Sequence, residues 1–123
     1  MSKTALVVDD SKTMREMVTF TLKAANFEVI EGEDGKHALE VIKDHKFDLV
    51  ITDLNMPNIN GIELIKALRA KEAFKFTPIL MLTTESDGFK KLEGKNAGAT
   101  GWIIKPFNPE RLMQVVSKVC AKP

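Results

Sequence analysis

The sequence holds one cysteine in 123 residues, Cys120 near its end. An internal disulfide and an all-cysteine metal cluster within one chain are therefore excluded. It has almost no net charge: 18 Lys and Arg against 17 Asp and Glu leave +1. That balance gives no electrostatic footprint for nucleic acid, so no DNA partner is expected. Its apolar runs are short, such as Ile79-Leu80-Met81-Leu82, well below the ~20 residues of a membrane-spanning helix. No charged segment followed by an apolar core opens the chain, so no secretory signal is expected. Repeats, low-complexity tracts and linkers are missing too. What is there fits a single domain over residues 1–123, without room for an output domain, in a reducing, cytoplasmic setting.

The apolar runs are regular in type. Ala5 to Val8 is stopped by Asp9-Asp10, Phe27 to Ile30 is a weaker run, and Leu49 to Ile51 is followed by Asp53. Ile79 to Leu82 is entered through Pro78, and Trp102 to Ile104 is stopped by Lys105-Pro106. Short continuous runs suit strands covered on both faces, as in parallel sheets. Helical patterns lie between them. Leu112, Val115, Val116 and Val119 follow i, i+3, i+4, i+7 behind Asn108 and Pro109, a good N-cap and first-turn residue. Met14, Met17, Val18 and Ala25 share a side of a first helix, with Thr13 and Glu16 as its capping box. Asp34 caps a second helix carrying Ala38, Leu39 and Ile42. Ile62, Ile65 and Leu68 mark a third. Residues 88–98 hold Gly88, Gly94 and Gly98 and few apolar anchors, which predicts a helix of low local stability. Five βα units of about 25 residues each predict an α/β fold, a doubly wound five-stranded parallel sheet with helices on both faces.

In such sheets ligands bind at the carboxyl ends of the strands. Here those ends carry Asp9-Asp10, Asp53, Thr83-Thr84 and Lys105. Two carboxylates ~4 Å apart repel by about 4 kcal/mol at an effective dielectric of 20. Lys105 and one divalent cation together balance three carboxylates. Magnesium is the suitable cation, since it takes carboxylate and carbonyl oxygens and keeps several waters. Taken singly, each residue has an ordinary reading: a strand-end Asp or Thr caps a helix or forms a turn, and a lone Lys is solvated. The joint pattern of acids, hydroxyl and lysine on strands one, three, four and five is the signal.

Val8-Asp9-Asp10-Ser11, Asp53-Leu54-Asn55-Met56-Pro57 with Gly61, Met81-Leu82-Thr83-Thr84-Glu85 and Lys105-Pro106-Phe107 together resemble the receiver domain of two-component response regulators, from about Thr4 to Val119. The resemblance implies a flavodoxin-like sheet in the order 2-1-3-4-5 with five helices. It implies that Asp53 is a phosphoacceptor, and that Asp10, Asp53 and the Asn55 backbone carbonyl hold Mg2+ (or Mn2+), with Asp9 acting through water. Lys105 and the metal would neutralise phosphoryl charge, and Thr83 would donate to a phosphoryl oxygen. Lys105-Pro106 would be a cis peptide. Trp102 matches the position of an aromatic switch residue, and the fourth helix, fifth strand and last helix form the face that partners read. Asn55 and Glu85 match positions that tune dephosphorylation.

The partners so implied are a sensor histidine kinase and, for a chemotaxis-type regulator, a flagellar motor switch protein or a phosphatase. The Thr-Thr-Glu and Gly-Trp-x-x-Lys-Pro-Phe patterns lean toward that type. The chain is expected to be monomeric and a signalling protein rather than an enzyme. One alternative is a stand-alone phosphorelay intermediate or phosphate sink. A remote one is a magnesium-dependent aspartyl-phosphate phosphatase, which typically needs an acid where Asn55 stands. His37 and His45 are expected to be solvated, and nothing near Cys120 marks it as catalytic.

Overall fold

The computed structural model describes residues 3–43 and 45–120. Five strands alternate with five helices: β1 (Lys3–Val8), α1 (Lys12–Ala24), β2 (Phe27–Gly32), α2 (Gly35–Val41), β3 (Leu49–Thr52), α3 (Gly61–Arg69), β4 (Ile79–Thr83), α4 (Gly88–Ala97), β5 (Gly101–Ile104) and α5 (Pro109–Cys120). All pairings are parallel, in the order β2-β1-β3-β4-β5. This is the flavodoxin-like arrangement that the motifs implied.

The strand runs are continuous because alternate residues feed two cores. Leu6, Val8, Val50 and Met81 join Ala38, Leu64, Ile65 and Leu68 on one face. Ala5, Val7, Leu49, Ile51, Leu80 and Leu82 join Val18, Leu22, Leu112 and Val116 on the other. The order reverses between β1 and β3, so a crevice opens there at the strands' carboxyl ends.

The helix starts show which local signals dominate. Asp34, Asn60 and Asn108 cap α2, α3 and α5, and Asn60 forms a reciprocal capping box with Glu63. The start of α1 differs from expectation. Ser11 is its N-cap, accepting from the Met14 N–H at 3.2 Å. Thr13 therefore lies inside the helix and forms no capping box. The buried stripe is Arg15, Val18, Thr19 and Leu22, whereas Met17 is 48% exposed. A short 3-10 turn at Glu72–Phe74, not anticipated, follows α3. The Arg69 guanidinium ties that turn to the end of α4, donating to the carbonyls of Phe74, Thr77 and Gly98. No helix among the described residues is long and apolar enough to cross a membrane.

Candidate functional site

The backbone ladder runs past the strand ends and brings four loops to one edge. The Asp53 N–H donates to the Val8 carbonyl at 2.9 Å. The Asp9 N–H donates to the Gly32 carbonyl at 3.2 Å, and the Lys105 N–H to the Thr83 carbonyl at 2.8 Å. Asp9, Asp53, Thr83 and Lys105 are thereby set side by side at the carboxyl ends of β1, β3, β4 and β5.

The side chains of Asp9, Asp53 and Lys105 meet there. Lys105 Nζ lies 2.8 Å from Asp9 Oδ2 and 3.2 Å from Asp53 Oδ2. These three side chains are nearly buried, at 5–11% exposure. Asp53 Oδ1 accepts from the Leu54 N–H at 2.7 Å, and Asp9 Oδ1 from the Ser11 N–H at 2.9 Å. Asp10 is exposed, and its carboxylate completes a group with Asp9 and Asp53 in which ligand oxygens lie within 4.8 Å of one another. Burial pushes the Asp9 carboxyl up, against the opposing pull of Lys105. Burial alone would lower Lys105, but its bonds to the two carboxylates outweigh that and hold its pKa raised. One lysine against three carboxylates leaves the pocket with an excess negative charge, and its hard oxygen donors suit a hard divalent cation.

The walls are specific. A β-carbon on Gly61 would collide with the Asp53 carbonyl oxygen, so only glycine lets α3 begin this close to β3. Asn55 is exposed in that loop, and Met56 packs on the core. The peptide Lys105-Pro106 is cis. Thr83 is fully buried, and its hydroxyl accepts from the Glu85 N–H at 3.2 Å. Trp102 Nε1 donates to the Glu85 carbonyl at 3.0 Å, so the indole is bound to the same β4–α4 loop as Thr83. Its ring lies against Gly94 of α4, where an added β-carbon would come within 2.8 Å of Cζ3.

Two histidines and the cysteine lie elsewhere. His37 is not simply solvated, because its Nδ1 accepts from the Glu33 N–H at 3.0 Å. His45 is exposed and tilted against Phe47. Burial pushes the Cys120 thiol up, away from reactivity. One residue at the site was missed in the sequence reading. Arg15 is buried, donating from Nη1 to the Asp9 carbonyl at 2.7 Å and from Nε to Glu31 Oε1 at 2.8 Å. The signal was present, since positions 15, 18, 19 and 22 follow i, i+3, i+4, i+7, but a charged member is easily assigned to the solvent side.

The model of the response regulator receiver domain matches residues 5–117. The chain belongs to that family. It is 41% identical to the chemotaxis protein CheY-3 of Vibrio cholerae over 115 residues, 93% of this chain and 88% of that protein. It is 37% identical to the chemotaxis protein CheY of Pseudomonas aeruginosa, covering 93% of each. The solved structure of Vibrio cholerae CheY4 superposes with a TM-score of 0.93 at 49% identity, covering 97% of this receiver and 99% of that chain.

Proposed function

We propose that this receiver is a chemotaxis-type response regulator domain that takes a phosphoryl group onto Asp53. The observation that carries the reading is Lys105 bridging Asp9 and Asp53 with Asp10 alongside, at the edge where the strand order reverses. Mg2+ would be held by Asp10, Asp53 and the Asn55 backbone carbonyl, with Asp9 through water, and would supply charge neutralisation at the phosphoryl oxygens. An Asp53 carboxylate oxygen attacks phosphorus, the bond to the donor imidazole nitrogen breaks, and an acyl phosphate forms. Lys105 already lies on Asp53 Oδ2 and stays within reach of the new phosphoryl oxygens. The carboxylate at −1 becomes a phosphate near −2. The added charge recruits a donor, and the Thr83 hydroxyl at the end of the neighbouring strand β4 is suited to it. The Glu85 N–H bonds Thr83, the Glu85 carbonyl accepts from Trp102 on β5, and the Trp102 ring lies on Gly94 of α4, so movement of Thr83 reaches β5 and α4.

The donor is a sensor histidine kinase, and the switched face is read by a motor switch protein. The names of the chemotaxis relatives support that choice over a relay role. Asn55, two residues after Asp53, and Glu85, two after Thr83, are polar, which supports rapid hydrolysis of the acyl phosphate. In this role the chain is a signalling protein that assists its own phosphorylation. The test is intact mass after incubation with acetyl phosphate. The wild type gains one phosphoryl group only when Mg2+ is present, and Asp53→Asn gains none. A gain retained in Asp53→Asn would move the acceptor elsewhere.

A further inference from the structure

Arg15 does for Asp9 what no other side chain at the site does: it holds the main chain. All four polar groups of Asp9 are engaged. Its N–H donates to Gly32, its two carboxylate oxygens accept from Ser11 and Lys105, and its carbonyl accepts from Arg15 at 2.7 Å. Asp10, the next residue, is exposed, and its carboxylate takes no hydrogen bond among the described residues. Nothing holds that carboxylate near Asp53 except the path of its backbone. The Asp9 carbonyl belongs to the planar peptide that leads into Asp10, so a donor fixed on that oxygen fixes the plane. Arg15 is itself fixed by Glu31 on β2 at 2.8 Å. A rigid guanidinium fork can serve both partners in one geometry, which an ammonium cannot.

We propose that Arg15, braced by Glu31, is a positioning residue that aims the Asp10 carboxylate into the cation pocket and so sets the affinity for the divalent ion. The proposal rests on the reading of the pocket as a magnesium site. Outer partners that orient metal ligands commonly govern affinity by about ten- to a hundredfold when removed.

Electrostatics alone predicts the opposite sign. Removing the positive charge held behind Asp9 strengthens the pull of the pocket's carboxylates on Mg2+. Replacing Arg15 by Lys keeps the charge and leaves that attraction unchanged. The experiment is calorimetric Mg2+ binding to the wild-type chain, Arg15→Met and Arg15→Lys, each checked for fold by circular dichroism. The brace predicts about tenfold weaker binding for Arg15→Met and a smaller loss for Arg15→Lys. Should Arg15→Met not fold, Arg15→Lys decides alone. Folded variants that bind Mg2+ as well as or better than wild type would overturn the brace. A wild type that takes up no Mg2+ would overturn the reading of the pocket, and the brace with it.

Discussion

Lys105 shows how much one side chain holds at this edge. It is the near-buried cation between two near-buried carboxylates, and its removal leaves Asp9 and Asp53 facing each other without a counter-charge. Breaking a buried pair by deleting one partner typically costs about 3–5 kcal/mol, because the surviving charge stays desolvated. Asp9 is already pushed up by burial and is pulled down mainly by Lys105. Lys105→Ala is therefore expected to lose about 3 kcal/mol of stability at neutral pH without divalent ions. Urea denaturation checks this. Added Mg2+ should return part of the loss, since it supplies the missing positive charge. A loss unaffected by Mg2+ would place the cost in packing of the lysine stem rather than in charge.

At the scale of the element, α4 stands apart. Gly94 is its single buried residue, while Phe89 and Leu92 are 83% and 54% exposed. A mid-helix glycine costs about 1 kcal/mol relative to alanine, yet here it makes room for the Trp102 ring. Gly94→Ala should gain the propensity and lose more to overpacking, which costs about 1–3 kcal/mol. With Trp102→Leu in the background the clash is gone, and the same change should stabilise by about 1 kcal/mol. Thermal melts of the four proteins in this cycle give the coupling; additive effects would mean that the ring and helix do not bear on each other. This pairing was invisible in the sequence, where the glycines foretold only a weak helix. The strands, their order of appearance and the residues at their ends were legible, because continuous apolar runs stopped by charge have one simple use in a parallel sheet. The caps at Asp34, Asn60 and Asn108 follow from short-range chemistry, and the sequence pattern points to two of them, Asp34 and Asn108. What could not be read was set by contacts between distant segments: the rotation of α1 that buries Arg15 rather than Met17, and the Arg69 clasp on Gly98.

For the whole molecule, near-neutrality conceals an uneven distribution. The chain carries +1 overall, while the sheet edge gathers Asp9, Asp10 and Asp53 against Lys105 alone. That excess negative charge works against the folded state, because the unfolded chain separates these groups. Asp53→Asn removes one charge and keeps an oxygen able to accept from the Leu54 N–H. Without divalent ions the variant should melt a few degrees above wild type, the shift that about 1 kcal/mol produces in a domain of this size. A cation that binds the native state stabilises it by about 2.7 kcal/mol at a hundred times its dissociation constant. The wild type gains that in full, whereas the variant has lost a ligand and gains less. The ranking of the two melting temperatures should therefore reverse between chelator and saturating Mg2+. If Asp53→Asn melts lower in chelator, the bonds of Asp53 to Lys105 and Leu54 outweigh the repulsion. A ranking that does not respond to Mg2+ at all would show that Asp53 takes no part in holding the ion.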